Sequence, residues 1–260
     1  MKKLKNLLFA TALCSSFFAY AEDCKLTVGY SDYPPVTYDD PEGKAIGLDI
    51  ELLDVIVKKA GCSVVWEKFP WERVINNVRN GELNLTTSCS DSEERRKFAN
   101  LVGYREGGNS VFVRKADLDK FKDIQSFADL VDKTDSKIGV FVGYDYGPVA
   151  ASFLGDPKYK NRFDAVPDTV IISNFKKLDS GRVDAVILEK VVGMSLIKTN
   201  NLEDKLVALP FNLSSGEDLV NYLLISKAAD PDGKIYEKIK SATEAVKNTD
   251  EYKAINKKYN

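Results

Sequence analysis

The chain contains no histidine among its 260 residues. That removes His-based general acid–base catalysis and the usual His-bearing zinc and iron sites from the functions open to it, although a carboxylate remains available as a general acid. No metal ligand set and no cofactor motif is read from the residues, so none is expected. Positive charge is not in excess either: 37 Lys and Arg stand against 39 Asp and Glu, which argues against nucleic acid as a partner. Tryptophan and methionine are scarce, at two each, and cysteine numbers four. After the first 21 residues no stretch approaches the roughly eighteen consecutive apolar residues of a membrane span.

What is present begins with a segment unlike the rest. Lys2, Lys3 and Lys5 precede an apolar run from Leu7 to Ala19, and Ala19-Tyr20-Ala21 supplies small residues before Glu22. This is the layout of a secretory signal over residues 1–21, so export to the periplasm is expected. Without its three lysines the balance is 34 basic to 39 acidic residues. Of the three cysteines that follow, Cys24 and Cys62 each open a short apolar run. If those runs are neighbouring parallel strands their first residues can bridge in an oxidising compartment, leaving Cys89 unpaired.

The most informative stretch runs from Gly81 to Arg95. Leu83, Leu85 and Thr87 alternate with Asn84 and Thr86 directly after a helix-stopping glycine, which predicts a strand entered from a helix. Its end is rich in hydroxyls, at Thr87, Ser88 and Ser90, and Ser92 can cap a helix that carries Arg95 one turn in. Hydroxyls, exposed backbone N–H groups and a guanidinium together suit a carboxylate. The competing interpretation is a capped helix with a solvated charged face. A second copy of the pattern supports the site: Asn77–Asn84 is echoed by Lys177–Asp184, and the strand after the echo ends in Glu189. Two similar lobes offering Arg95 and Glu189 from equivalent strand ends could hold a zwitterion between them.

Other elements follow in order. Leu48 to Ala60 has apolar residues at helical spacing, acids early and lysines late. Tyr30 and Tyr33 sit on a proline-stiffened loop that is either an ordinary turn or ligand-facing. Trp71 opens a helix after Pro70 and serves either the core or a ligand platform. Ser126 and Ser173 are read as helix caps, and Val220 to Ser226 as a strand returning to the first lobe.

Leu26-Thr27-Val28-Gly29 with Tyr33-Pro34-Pro35, Gly43 with Gly47-Leu48-Asp49-Ile50-Glu51-Leu52, Gly81-Glu82-Leu83-Asn84, Ser92-Glu93-Glu94-Arg95 and Gly181-Arg182-Val183-Asp184 form an ordered set. In order, these blocks resemble the motifs of the extracellular solute-binding proteins of bacterial amino-acid importers, family 3, over essentially the whole chain after residue 21. The resemblance implies an α/β, two-lobed periplasmic binding protein of type II, a Venus flytrap with a mostly parallel sheet flanked by helices in each lobe. Lobe 1 is expected over 22–112 and 216–260, and lobe 2 over 113–215. It further implies a monomer that binds a small solute, most simply an amino acid, and docks on an ABC permease in the inner membrane.

By the same resemblance Arg95 pairs with a ligand carboxylate, assisted by Thr87, Ser88 and Ser90, while Trp71 covers the ligand side chain and Glu189 receives its amine. Four positions depart from the family pattern: Glu189 for Asp, Asp145 in the loop Gly143-Tyr144-Asp145 where hydroxyls are common, Asn84 for Asp, and Gly103-Tyr104 for Pro-Tyr. Two acids facing one arginine call for a ligand with extra positive charge, unless Asp145 turns outward. Two other functions stay open on the same scaffold: a cyclohexadienyl dehydratase-like enzyme using Glu189 as general acid, and a sensory module presenting its ligand to a receptor.

Overall fold

A computed structural model of the chain describes residues 24–167, 170–213 and 219–259. The expected signal segment, 1–21, lies outside them. The first part of the chain gives β1 (Cys24–Tyr30), the short hairpin β2 (Tyr38–Asp39) and β3 (Ala45–Ile46), α1 (Leu48–Lys59), β4 (Cys62–Lys68), α2 (Trp71–Asn80), β5 (Leu85–Cys89), α3 (Glu93–Phe98) and β6 (Ala99–Glu106). It continues with β7 (Asn109–Arg114), α4 (Leu118–Phe121), α5 (Phe127–Lys133), β8 (Ile138–Phe141), α6 (Pro148–Leu154), β9 (Phe163–Val166), α7 (Ile172–Asp179), β10 (Ala185–Glu189), α8 (Lys190–Thr199) and β11 (Leu206–Asn212). The last elements are β12 (Val220–Ser226), α9 (Lys234–Val246) and α10 (Asp250–Tyr259).

Two five-stranded sheets result, in the orders β4-β1-β5-β12-β6 and β11-β7-β10-β8-β9. The strands joined by helices, β4, β1 and β5 in one sheet and β10, β8 and β9 in the other, run parallel, as helical crossovers require. Strands β12 and β7 run antiparallel to their neighbours. The chain therefore leaves the first sheet after β6 and returns to it at β12, Val220–Ser226.

The crossing lies earlier than the expected boundary after residue 112. Strand β7 hydrogen-bonds wholly within the second sheet, so the chain changes lobes at Gly107-Gly108. Glycine fits both positions: a Cβ on Gly107 would fall 2.2 Å from Asn221 Nδ2 and displace that side chain, and Gly108 has φ +139°. The sequence reading misses this because the apolar run through Val113 continues past the change of sheet.

Local signals mostly hold. In α1 the residues Leu48, Leu52, Leu53, Ile56 and Val57 are buried, acids occupy the first turn and lysines the last. Cys24 and Cys62 are register partners at the start of β1 and β4 and form a disulfide, while Cys89 is buried and free. Burial pushes the Cys89 thiol up to about 12, so it is inert. Ser92 and Ser126 cap α3 and α5 through their side chains. Ser173 does not cap: α7 begins one residue earlier, after Ile171, with no side-chain cap.

The first lobe's main core joins α1, α9 and α10 to β1 and β5 through residues such as Leu52, Ile56, Ile239 and Tyr252. The second sheet carries apolar clusters on both faces. One of them includes Tyr33 and Val36 from the first lobe beside Phe112, Phe141 and Phe175, so the lobes are packed together rather than splayed.

Candidate binding site

The cleft between the lobes gathers ten of the eleven residues expected there. Tyr30, Tyr33, Trp71, Thr87, Ser88, Ser90, Arg95, Tyr144, Asp145 and Glu189 line it, together with Ser31, Thr37, Asp91, Asn109 and Asn221. Gly143 does not. It lines an adjoining outer groove, which shares Arg95, Tyr144 and Asp145 with the cleft, and a Cβ there would lie 3.1 Å from the Glu72 side chain.

Strand β5 places the first-lobe groups. Thr86 Oγ1 donates to the Gly29 carbonyl at 2.8 Å, which ties the strand to β1, and Ser88 leaves the strand in the left-handed region with φ +57°. That turn points the Ser88 hydroxyl at Asp49, to which it donates, and lets the Ser88 N–H donate to the Tyr104 hydroxyl at 3.2 Å. Arg95 is buried and its Nη1 donates to the Ser90 carbonyl at 2.9 Å. The solvated-face alternative for Arg95 is therefore wrong, because the side chain turns inward from α3.

The second lobe meets these groups directly. Ser90 Oγ donates to the backbone carbonyl of Asp145 at 3.0 Å, and the Asp145 carboxylate comes within 3.9 Å of Arg95 Nη1. Asp145 is itself oriented by the Gly147 N–H, which donates to its Oδ1 at 2.9 Å. It thus stands at the boundary between the cleft and an outer groove, lining both, with Arg95 as its ion-pair partner. Tyr144 stands edge-on to Tyr33 and Trp71, with ring centroids 5.9 and 6.5 Å apart. Trp71 lines the cleft and also belongs to the cluster of Val74, Val78, Leu83 and Leu224.

Glu189 is not a lone acid. Its Oε1 accepts from Arg105 Nη1 at 2.6 Å and from Asn221 Nδ2 at 2.9 Å. The same guanidinium reaches across to Asp49, with Nε donating at 2.5 Å. Asp49, Arg105 and Glu189 are buried and come from α1, β6 and β10, so one arginine spans both lobes beside the crossing. Burial works against the Arg105 charge, but Asp49 and Glu189 outweigh it and hold the pKa above its ordinary value. Burial, reinforced by Glu189, keeps the Tyr33 phenol protonated and able to donate. Tyr30 spends its hydroxyl on Asp39 outside the cleft, so it offers a ring rather than a donor.

Sequence reasoning missed Arg105, Asp49 and Asn221. A signal existed for Asp49, which shares the buried helical face of Leu52, Leu53 and Ile56 at i, i+3, i+4 and i+7, where an acid requires a partner. Two of the four departures prove structural. Asn84 lies outside the cleft lining and its Oδ1 accepts from the Thr27 N–H at 2.8 Å; Gly103 leaves space for Val220 and Tyr222.

The family model for bacterial extracellular solute-binding proteins, family 3, matches residues 26–260. The chain belongs to that family. Among curated relatives, the arginine-binding extracellular protein ArtP of Bacillus subtilis (strain 168) is 24% identical over 255 residues, 96% of this chain and 92% of the relative. Among solved structures, an ancestral arginine-binding protein bound to arginine is 26% identical with a TM-score of 0.69, covering 90% of this chain and 97% of that one. A Streptococcus mutans structure described for glutathione import shares the fold alone, at 18% identity and a TM-score of 0.74 over 92% of this chain and 95% of that one. The α/β architecture of two sheets flanked by helices is the type II periplasmic binding protein fold.

Proposed function

We propose that this family 3 protein captures a small, amine-bearing polar solute of net positive charge in the periplasm and delivers it to an ABC permease. The carrying observation is the charge balance of the cleft. Asp49, Asp145 and Glu189 confront two guanidiniums, Arg95 and Arg105, while Asp91 is matched by its surface partner Arg96. Closing two lobes around one surplus negative charge is costly unless the ligand brings the compensating positive one. The arginine-binding relatives point the same way. Glu189, already accepting from Arg105 and Asn221, is better suited to holding a cation than to giving up a proton as a general acid.

A thermal-shift screen of the purified protein against basic, neutral and acidic amino acids and simple amines tests this. Cationic solutes are expected to raise Tm, because a ligand held by the folded state stabilises it by mass action. Stabilisation by glutamate or aspartate alone would refute it.

A further inference from the structure

Resting on that reading, we infer that the solute is an organic cation without a carboxylate, because Asp145 sets a fixed carboxylate beside Arg95 that a ligand carboxylate would have to approach. Arg95 is the guanidinium that lines the cleft, the other, Arg105, being committed to Asp49 and Glu189. Its Nη1 donates to the Ser90 carbonyl at 2.9 Å, and Asp145 Oδ2 stands 3.9 Å from it, an ion-pair separation beyond hydrogen-bond reach. Asp145 is anchored at both ends, by the Gly147 N–H on its carboxylate and by the Ser90 hydroxyl on its backbone carbonyl. A ligand carboxylate seeking Arg95 therefore meets a fixed like charge, a juxtaposition that costs binding energy.

A cation meets the opposite. Asp145 and Glu189 present acceptors from the second lobe, and Tyr33, Trp71 and Tyr144 line the same cleft with aromatic rings. Aromatic walls beside carboxylates are a combination suited to ammonium and guanidinium groups, through cation–π attraction as well as ion pairing. Arg95 and Asp145 then act together as a latch between lobes, and the ligand is read by what it lacks as much as by its charge.

Matched pairs differing by the carboxylate separate the possibilities: agmatine with arginine, cadaverine with lysine, and tyramine with tyrosine, each titrated calorimetrically into the native protein. At least one amine is expected to bind, and its carboxylated partner to bind about tenfold more weakly or worse, the scale of one unfavourable buried charge contact. Asp145→Asn should weaken that amine by about tenfold and narrow or reverse the gap, with its thermal unfolding checked to show an intact fold. Tighter binding of arginine or lysine than of its amine in the native protein overturns this inference while leaving the cationic-solute function standing, whereas tighter binding of tyrosine than of tyramine overturns both. If none of the six binds, both fall.

Discussion

The two lobes are built from the same helix, glycine and strand, and they differ where the strands end. In each, a left-handed glycine stops the helix, Gly81 after α2 and Gly181 after α7. In each, the next N–H turns back to the helix, Glu82 N to the Asn77 carbonyl at 2.9 Å and Arg182 N to the Lys177 carbonyl at 2.8 Å. Asn84 and Asp184 then dock their strands through equivalent bonds, their N–H groups donating to the Thr27 and Lys137 carbonyls. Their side chains accept from the Thr27 and Lys137 N–H groups at 2.8 and 2.9 Å. An acid stands in the second lobe where Arg114 Nη2 lies 3.3 Å away, and an amide suffices in the first, where a threonine hydroxyl completes the set. Beyond that wiring the lobes diverge: β5 opens into a hydroxyl-bearing loop and Arg95, whereas β10 ends in Glu189 and passes straight into α8. Common backbone chemistry builds the frame, and the strand ends carry the side chains that line the cleft.

The comparison breaks most severely at the residue the lobes share. Arg105→Ala would leave Asp49 and Glu189 buried without their cation, a loss of about 3–5 kcal/mol. Urea unfolding should show it, and an unchanged midpoint would mean that the three groups do not form a clamp.

The staple distinguishing the lobes comes next. Cys24 and Cys62 close a separation of 38 residues in the first lobe, whereas the matching first register pair of the second lobe is Ile138 and Phe163. Breaking the bond by Cys24→Ser with Cys62→Ser should cost about 2–4 kcal/mol. Hydrogen exchange should place the loosening in β1 and β4, and equal loosening of β8 and β9 would contradict the assignment of the staple to one lobe.

The smallest effect separates the two stop glycines. Each has a positive φ, so alanine costs about 1–2 kcal/mol at either. At Gly81 the added methyl also meets Ala228 and its backbone at 3.0–3.1 Å, whereas at Gly181 the nearest atom is Arg114 Nη1 at 3.9 Å. Gly81→Ala should therefore be the more destabilising in thermal unfolding, and the reverse order would show that the two units are not packed as described.

The parts legible in sequence were those written in local patterns. The apolar period of α1, the stop glycines, the caps at Ser92 and Ser126 and the matching places of Cys24 and Cys62 all depend on neighbours along the chain or on one strand register. Arg95 was legible because its hydroxyl-bearing loop precedes it directly. Arg105 was not, because its role exists only where α1, β6 and β10 meet, and no one of those segments names the other two. The change of lobe at Gly107-Gly108 was hidden for a related reason: two strands of different sheets follow one another with almost no loop between them. Gly143 carried the right motif position but faces the outer groove, since its orientation is set by packing on Glu72 across the lobes.

On the proposed function, the protein charges of the cleft sum to a negative value that the solute completes. The direct measurement is mass spectrometric identification of the solute released when the natively purified protein is denatured. The account predicts a small base, positively charged at neutral pH, held one to a chain. An acidic amino acid released in its place would contradict it.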